Sequence, residues 1–244
     1  MAENCLGQDP RPIGYTSQGT MEDPVWWLTR IANKLRTVWL GKTYPFVSFG
    51  KRTWTHYSLH VTRSAARYTS IGEGVGFGRD VLLDVCAAPG TDSPVLIMED
   101  GCGLQRRVVV SARNRIHIMR NAIFGPSVLM IDHGGDVEGG ADSAVCGPQA
   151  GGGTIRIEEE CWIGFGATIV CKQGELVIGR HSVVGANSVV TRSIPPYSVV
   201  SGDPARIVKQ YDFSKGKWVL GCIRPLATAE RKLPVAAASL LAES

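Results

Sequence analysis

The sequence predicts an all-β solenoid wound from six-residue repeats, with a helix before it and a short extension after it. Three observations carry that expectation. Large apolar residues recur at every sixth position: Ile71, Phe77 and Leu83; Ile118, Phe124 and Met130; Ile157, Ile163 and Ile169; Ile178, Val184 and Val190. Glycine follows the apolar anchor at Gly72, Gly78, Gly125, Gly164, Gly179 and Gly185. Four places after the anchor stands a small or β-branched residue, as in Val75, Val81, Ala122, Val128, Ala167, Ser182 and Ser188. A helix would repeat near 3.6 and a half-buried strand near 2, so neither fits. A period of six suits a solenoid whose hexads are each one short strand and its corner, with the anchor in a narrow core. The glycines are expected to supply the backbone freedom that the corners need.

Taken in order, residues 1–22 hold Gly, Pro, Gln and Ser without periodicity and are expected to form an arm. Asp23-Pro24 reads as an N-cap and first helical residue. Val25, Leu28, Ile31, Ala32, Leu35, Val38 and Trp39 follow at helical spacing, and Gly41 can end the helix. From Pro24 to Arg67 there are eight Lys or Arg and no Asp or Glu. Two readings stay open for that segment. It can cap the open end of the solenoid with its basic face in water. It can instead lie on a membrane surface, with Trp26, Trp27 and Trp39 at the interface. The segment 1–67 thus precedes regular coils expected over 68–209.

The coils break period in two places. Between Met130 and Ile157 about 21 residues are extra, rich in glycine, and a loop is expected over 134–156. A long excursion from a rigid scaffold is a usual place for a site. A smaller excess surrounds Lys172-Gln173-Gly174. No single register holds from Pro89 to Ile116, and a loop is expected over Pro89–Pro94. Residues 210–244 form a C-terminal extension in which a short helix after Lys217 is expected.

Composition narrows the function. A chain of 244 residues with 20% charged and 44% hydrophobic residues is ordinary for one soluble domain plus extensions. Its net charge of +4 is smaller than that of the 24–67 segment alone, so the rest is not basic and nucleic acid is not an expected partner. The seven cysteines form no CxxC pair and are odd in number, and the first twenty residues lack an apolar core for a signal peptide. A reduced, cytoplasmic setting is therefore expected, with peripheral contact at the inner membrane face as the membrane reading would have it.

The strings Ile157-Glu158-Glu159-Glu160-Cys161-Trp162-Ile163-Gly164, Val184-Gly185-Ala186-Asn187-Ser188-Val189-Val190-Thr191-Arg192, Ile194-Pro195-Pro196-Tyr197-Ser198 and Gly202-Asp203-Pro204-Ala205-Arg206 carry a family likeness. They resemble the C-terminal coils of the hexapeptide-repeat acyltransferases, in the sugar and polysaccharide O-acetyltransferase branch. The resemblance implies a left-handed parallel β-helix, an acetyl-CoA donor, a saccharide acceptor with an amino acid or xenobiotic as the alternative, a homotrimer and no required metal.

It also implies roles for residues. His133 closes Leu129-Met130-Ile131-Asp132-His133 at the mouth of the glycine-rich excursion, where the family keeps its general base. An imidazole, with a pKa near neutrality, is well matched to deprotonating a hydroxyl as it attacks a thioester. Asn114 and Asp132 are assigned to the acceptor. Asn114 lies 19 residues before His133, close to one coil, and its amide could bond acceptor hydroxyls. In extended chain Asp132 and His133 would point to opposite faces, so Asp132 is not expected to orient the histidine; Asp136 or a backbone carbonyl is. The donor is assigned to Trp162, Gly164, Ala186 and Thr191, with Arg192, Arg206 and Lys209 for its phosphates. Backbone N–H groups near Trp162-Ile163-Gly164 are expected to hold the oxyanion. Two other classes share the solenoid. A zinc carbonic anhydrase needs three converging histidines, and among His56, His60, His117, His133 and His181 only the first two are close in sequence. A silent scaffold would have no need of His133, Trp162, Arg192 and Arg206 together.

Overall fold

The computed structural model describes residues 24–87, 90–134 and 152–225. Their strands form three sheets, the faces of a left-handed parallel β-helix. The first face carries Ser48–Phe49, Thr69–Ile71, Leu96–Met98, Arg115–Ile118, Gly153–Ile157 and Gly174–Ile178. The second begins with Trp54–Thr55, Gly76–Phe77, Gly103–Leu104, Ile123–Phe124, Trp162–Ile163 and Val183–Val184. The third carries His60–Val61, Leu82–Val85, Val109–Ala112, Leu129–Ile131, Thr168–Val170 and Val189–Val190. Each coil visits the faces in that order.

Because successive coils pair in parallel and in register, each anchor stacks on its equivalent. Ile71, Met98, Ile118, Ile157 and Ile178 form one ladder, Phe77, Leu104, Phe124, Ile163 and Val184 the second, Leu83, Val110, Met130, Ile169 and Val190 the third. All are at most 1% exposed. Burying such side chains stabilises by about 1.5–3 kcal/mol each relative to exposure. The small residues four places on are fully buried too, at the corners between ladders.

The glycines have a different cause from the expected one. The left-handed corner lies three residues after the anchor, at Asp80, Arg107, Asn121, Ser127, Glu160, His181, Asn187 and Tyr197, with φ of 53–57° at seven of them and 59° at Ser127. Glycine just after the anchor is instead required by close stacking. A Cβ on Gly72 would come 2.7 Å from the Glu99 carbonyl carbon, and on Gly164 2.7 Å from the Val184 oxygen. Both neighbours are backbone of the next coil and cannot swing away.

Both ends correct the sequence reading. The solenoid starts at Ser48, not residue 68: Ser48–Phe49, Trp54–Thr55 and His60–Val61 pair in register with the following coil. The coil hides in the sequence because its second-face anchor is polar Thr55, which is fully buried. Regular coils also run through Leu96–Ala112, where Glu99 and Gln105 follow the anchors in place of glycine. Helix α1 spans Pro24–Thr43, two residues past Gly41. It covers the first coil: Leu40 is buried in the core, Thr37 Oγ1 accepts from Thr55 N at 3.0 Å, and Asn33 Oδ1 accepts from Tyr57 N at 2.8 Å. Those N–H groups belong to the exposed edge of a sheet, which this helix satisfies.

At the other end, the second face continues through Ser198–Ser201 and then an antiparallel hairpin, Arg206–Asp212 with Lys217–Pro225. The helix expected after Lys217 is therefore a strand through Pro225, with Trp218 packed edge-on against Tyr211 at 5.5 Å between centroids. The arm 1–22, the Asp23 cap, the Trp26 side chain, Asp136, residues 135–151 of the expected loop and residues 226–244 lie outside the described residues.

Candidate active site

Six residues separate one anchor from the next between the first, second and third faces of every coil from Phe49 to Val190. The period breaks only at the corner from the third face back to the first. There lie the short helix α2 (Arg63–Ala66), residues 86–95, Arg113-Asn114, the 134–152 excursion and Lys172-Gln173. The faces demand strict register, so one ridge is left free to vary.

His133 sits on this ridge, bridged to Gly152 across the base of the excursion. Asp132 is wholly buried beneath it. Oδ1 of Asp132 accepts from Arg113 N at 2.8 Å and faces His133 Nδ1 at 3.1 Å. Its Oδ2 accepts from Asn114 N and Arg115 N, each at 2.8 Å. Three backbone N–H groups thus hold the carboxylate, and its Oδ1 accepts from His133 Nδ1 in the tautomer that carries the hydrogen there. In that tautomer the lone pair stands on Nε2. The histidine side chain is 18% exposed, so the ring is held from below and reachable from above.

This corrects two expectations for Asp132. It orients His133, and it cannot touch an acceptor from the interior. The alternation argument fails because the chain bends at Asp132 as it leaves the strand. Asn114 does stack beside this pair, its Nδ2 donating to the Asp132 carbonyl at 3.3 Å. A Cβ on Gly152 would overlap the Asn114 amide, and one on Gly153 the Cys171 sulfur, so two glycines make the space in which the corner closes. Lys172, which sequence reasoning did not single out, lays its aliphatic chain against Gly134. On the adjoining first face a shallow hollow is lined by Arg115, His117, Thr154, Arg156 and Glu175.

The residues assigned to the donor fall in three places. Thr191 and Arg192 follow Val189–Val190 and share the His133 ridge. Gly164 and Ala186 stack on the opposite edge of the third face; a Cβ on Gly164 would come 2.8 Å from Ala186 N. That face therefore runs between the two groups. Trp162, 58% exposed, and the exposed Arg206 and Lys209 stand on the second face, which one chain does not bring to His133. The expected oxyanion donors are engaged within the solenoid: Trp162 N bonds Ser182 O at 3.0 Å and Gly164 N bonds Val184 O at 2.8 Å. Among the described residues, no three His, Cys, Asp or Glu side chains are grouped as metal ligands.

Fold and ridge together define a hexapeptide-repeat β-helix protein. Over part of its length the chain is similar to curated acetyltransferases. It is 39% identical over 64 residues to WbbJ of Escherichia coli (strain K12), a provisionally assigned lipopolysaccharide biosynthesis O-acetyl transferase, covering 26% of this chain and 31% of WbbJ. It is 39% identical over 64 residues to the serine acetyltransferase of Haemophilus influenzae, covering 26% of this chain and 23% of that enzyme. The chain thus matches under a third of the length of these curated relatives. No protein-family model matches it. In three dimensions it resembles AntD, an N-acyltransferase from Bacillus cereus solved with dTDP and 3-hydroxybutyryl-CoA. The TM-score is 0.56 at 19% identity, over 70% of this chain and 86% of AntD, a likeness of fold.

Proposed function

We propose that the protein transfers an acetyl group from acetyl-CoA to a hydroxyl of a saccharide, a polysaccharide unit or a lipid-linked precursor. The His133–Asp132 pair carries this reading. Nε2 of His133 takes the acceptor hydroxyl proton while that oxygen attacks the acetyl carbonyl. The tetrahedral intermediate collapses, coenzyme A leaves as thiolate, and the imidazolium returns the proton to its sulfur. No acyl-enzyme is required, since the acceptor attacks directly. The buried carboxylate fixes the ring and stabilises the imidazolium during transfer, the role an aspartate plays in a hydrolase triad.

The donor thioester lies along the third face, between Gly164 and Ala186 on one edge and His133 on the other, with Arg192 near the phosphates. Trp162, Arg206 and Lys209 complete the groove from the neighbouring subunit of a homotrimer, because one chain holds them on another face. Names of the relatives support the chemistry: O-acetyl transfer for WbbJ, serine acetylation for the Haemophilus enzyme. Acetyl-CoA is a cytoplasmic metabolite, and the reaction is placed there. The deciding experiment follows thiol release from acetyl-CoA with neutral sugars, nucleotide sugars, serine and water as acceptors, alongside mass determination of the particle. Turnover with a sugar and a trimeric mass are expected; turnover with serine alone would overturn the acceptor class.

A further inference from the structure

Helix α1 has two opposed sides. At about 100° per residue, Asn33, Arg36, Thr37 and Leu40 fall on one side, which bonds to and buries against the first coil. Trp27, Leu28, Ile31, Leu35, Val38 and Trp39 fall on the other, between 44% and 67% exposed. This stripe runs about 18 Å along the helix, at roughly 1.5 Å per residue. Trp39 at one end of it meets Arg36 and Tyr44, whereas Leu28, Ile31, Leu35 and Val38 along its middle stay 49–67% exposed, more than capping the coil requires.

The charge around it selects the occupant. The helix itself carries Arg30, Lys34, Arg36 and Lys42 and no Asp or Glu. A second copy seated on this stripe would set those cations against their own equivalents. A sheet of lipid phosphates would answer them. Among the described residues no helix is long and apolar enough to cross a membrane. We infer that α1 lies flat on an anionic phospholipid surface, its stripe at the boundary between headgroups and acyl chains and its lysines at the phosphates.

The test uses full-length protein sedimented with vesicles of phosphatidylcholine, with and without phosphatidylglycerol. Binding to the anionic vesicles at low salt is expected, with release as the screening length falls from about 10 Å at 0.1 M to about 3 Å at 1 M. An Ile31→Glu/Leu35→Glu variant should bind at least tenfold more weakly with an unchanged circular dichroism spectrum. Should that variant misfold, Lys34→Gln/Lys42→Gln decides, with binding weakened severalfold on anionic vesicles only. Failure of the parent to sediment overturns the inference. So does a drop in particle mass on substituting the stripe without lipid, which would give the face to a second copy. Acetyl-CoA turnover of a soluble acceptor is read in parallel, so a failed membrane contact and a failed reaction are told apart.

Discussion

Asp132 and His133 are adjacent in the chain, yet their side chains meet at 3.1 Å because the strand ends at Ile131 and the backbone bends at Asp132. The same carboxylate ties down three consecutive backbone N–H groups of the preceding coil. One buried group thus closes a corner of the solenoid and sets the proton of an imidazole.

His133→Ala removes the proposed base and leaves the Asp132 hydrogen bonds to the preceding coil in place. Turnover should fall by about a hundred- to ten-thousand-fold. Acetyl-CoA affinity by calorimetry should stay within a factor of two or so. A variant keeping half the parent rate would refute the assignment.

Asp132→Asn should damage both stability and rate. An amide offers one acceptor oxygen and one donating nitrogen, so one pair of N–H groups meets a donor instead of an acceptor. Leaving buried donors unpaired costs on the order of 1–3 kcal/mol each. The urea midpoint should fall, and kcat should drop further than folded protein content explains, because the ring loses its fixed tautomer.

Arg192→Ala should raise KM for acetyl-CoA about tenfold, the loss of one charge-assisted contact, with little change in acceptor KM. With a donor lacking the 3′-phosphate, parent and variant should converge if that phosphate is the partner. If the proposed trimer shares the groove, Arg206→Ala should behave the same way only in the assembled particle, and mixing it with His133→Ala chains should restore partial activity, since intact half-sites then meet across subunits.

The thiols of Cys102 and Cys161 are raised to about 12 and about 11, chiefly by burial. Both should resist alkylation at neutral pH in the folded protein while exposed Cys86 reacts. Unfolded thiols lose their proton near pH 8.5, earlier than these do. Between about pH 8.5 and 12 the unfolded chain therefore binds fewer protons, and stability should decline as pH rises through that window. Replacing both with Ser should flatten the decline in a pH series of chemical melts.

The core was legible wherever an apolar anchor met a glycine, because those two positions answer to burial and to close backbone stacking. Coils went unseen where other residues solved the same problem. Thr55 is a buried anchor only because Thr37 of α1 bonds its hydroxyl and its N–H. Met98 and Leu104 carry Glu99 and Gln105 where glycine was looked for. At the site, position alone singled out His133 and Asn114. The role of Asp132 could not be read that way, since it depends on a bend that lasts one residue and on donors eighteen places upstream. Arg206 and Lys209 were grouped with His133 by likeness, although the hairpin holds them on a different face.

Because every departure from six falls on one ridge, the solenoid has a seam along which length is cheap. Residues can be added or removed there without shifting a single rung of the three ladders, since each rung is fixed before the chain reaches the seam and again after it. The loops on the seam can then be exchanged by grafting, while substitutions within the faces would have to be matched coil by coil. Transplanting the 134–152 segment of one such solenoid into another is the engineering experiment this architecture invites, and it asks nothing of the core.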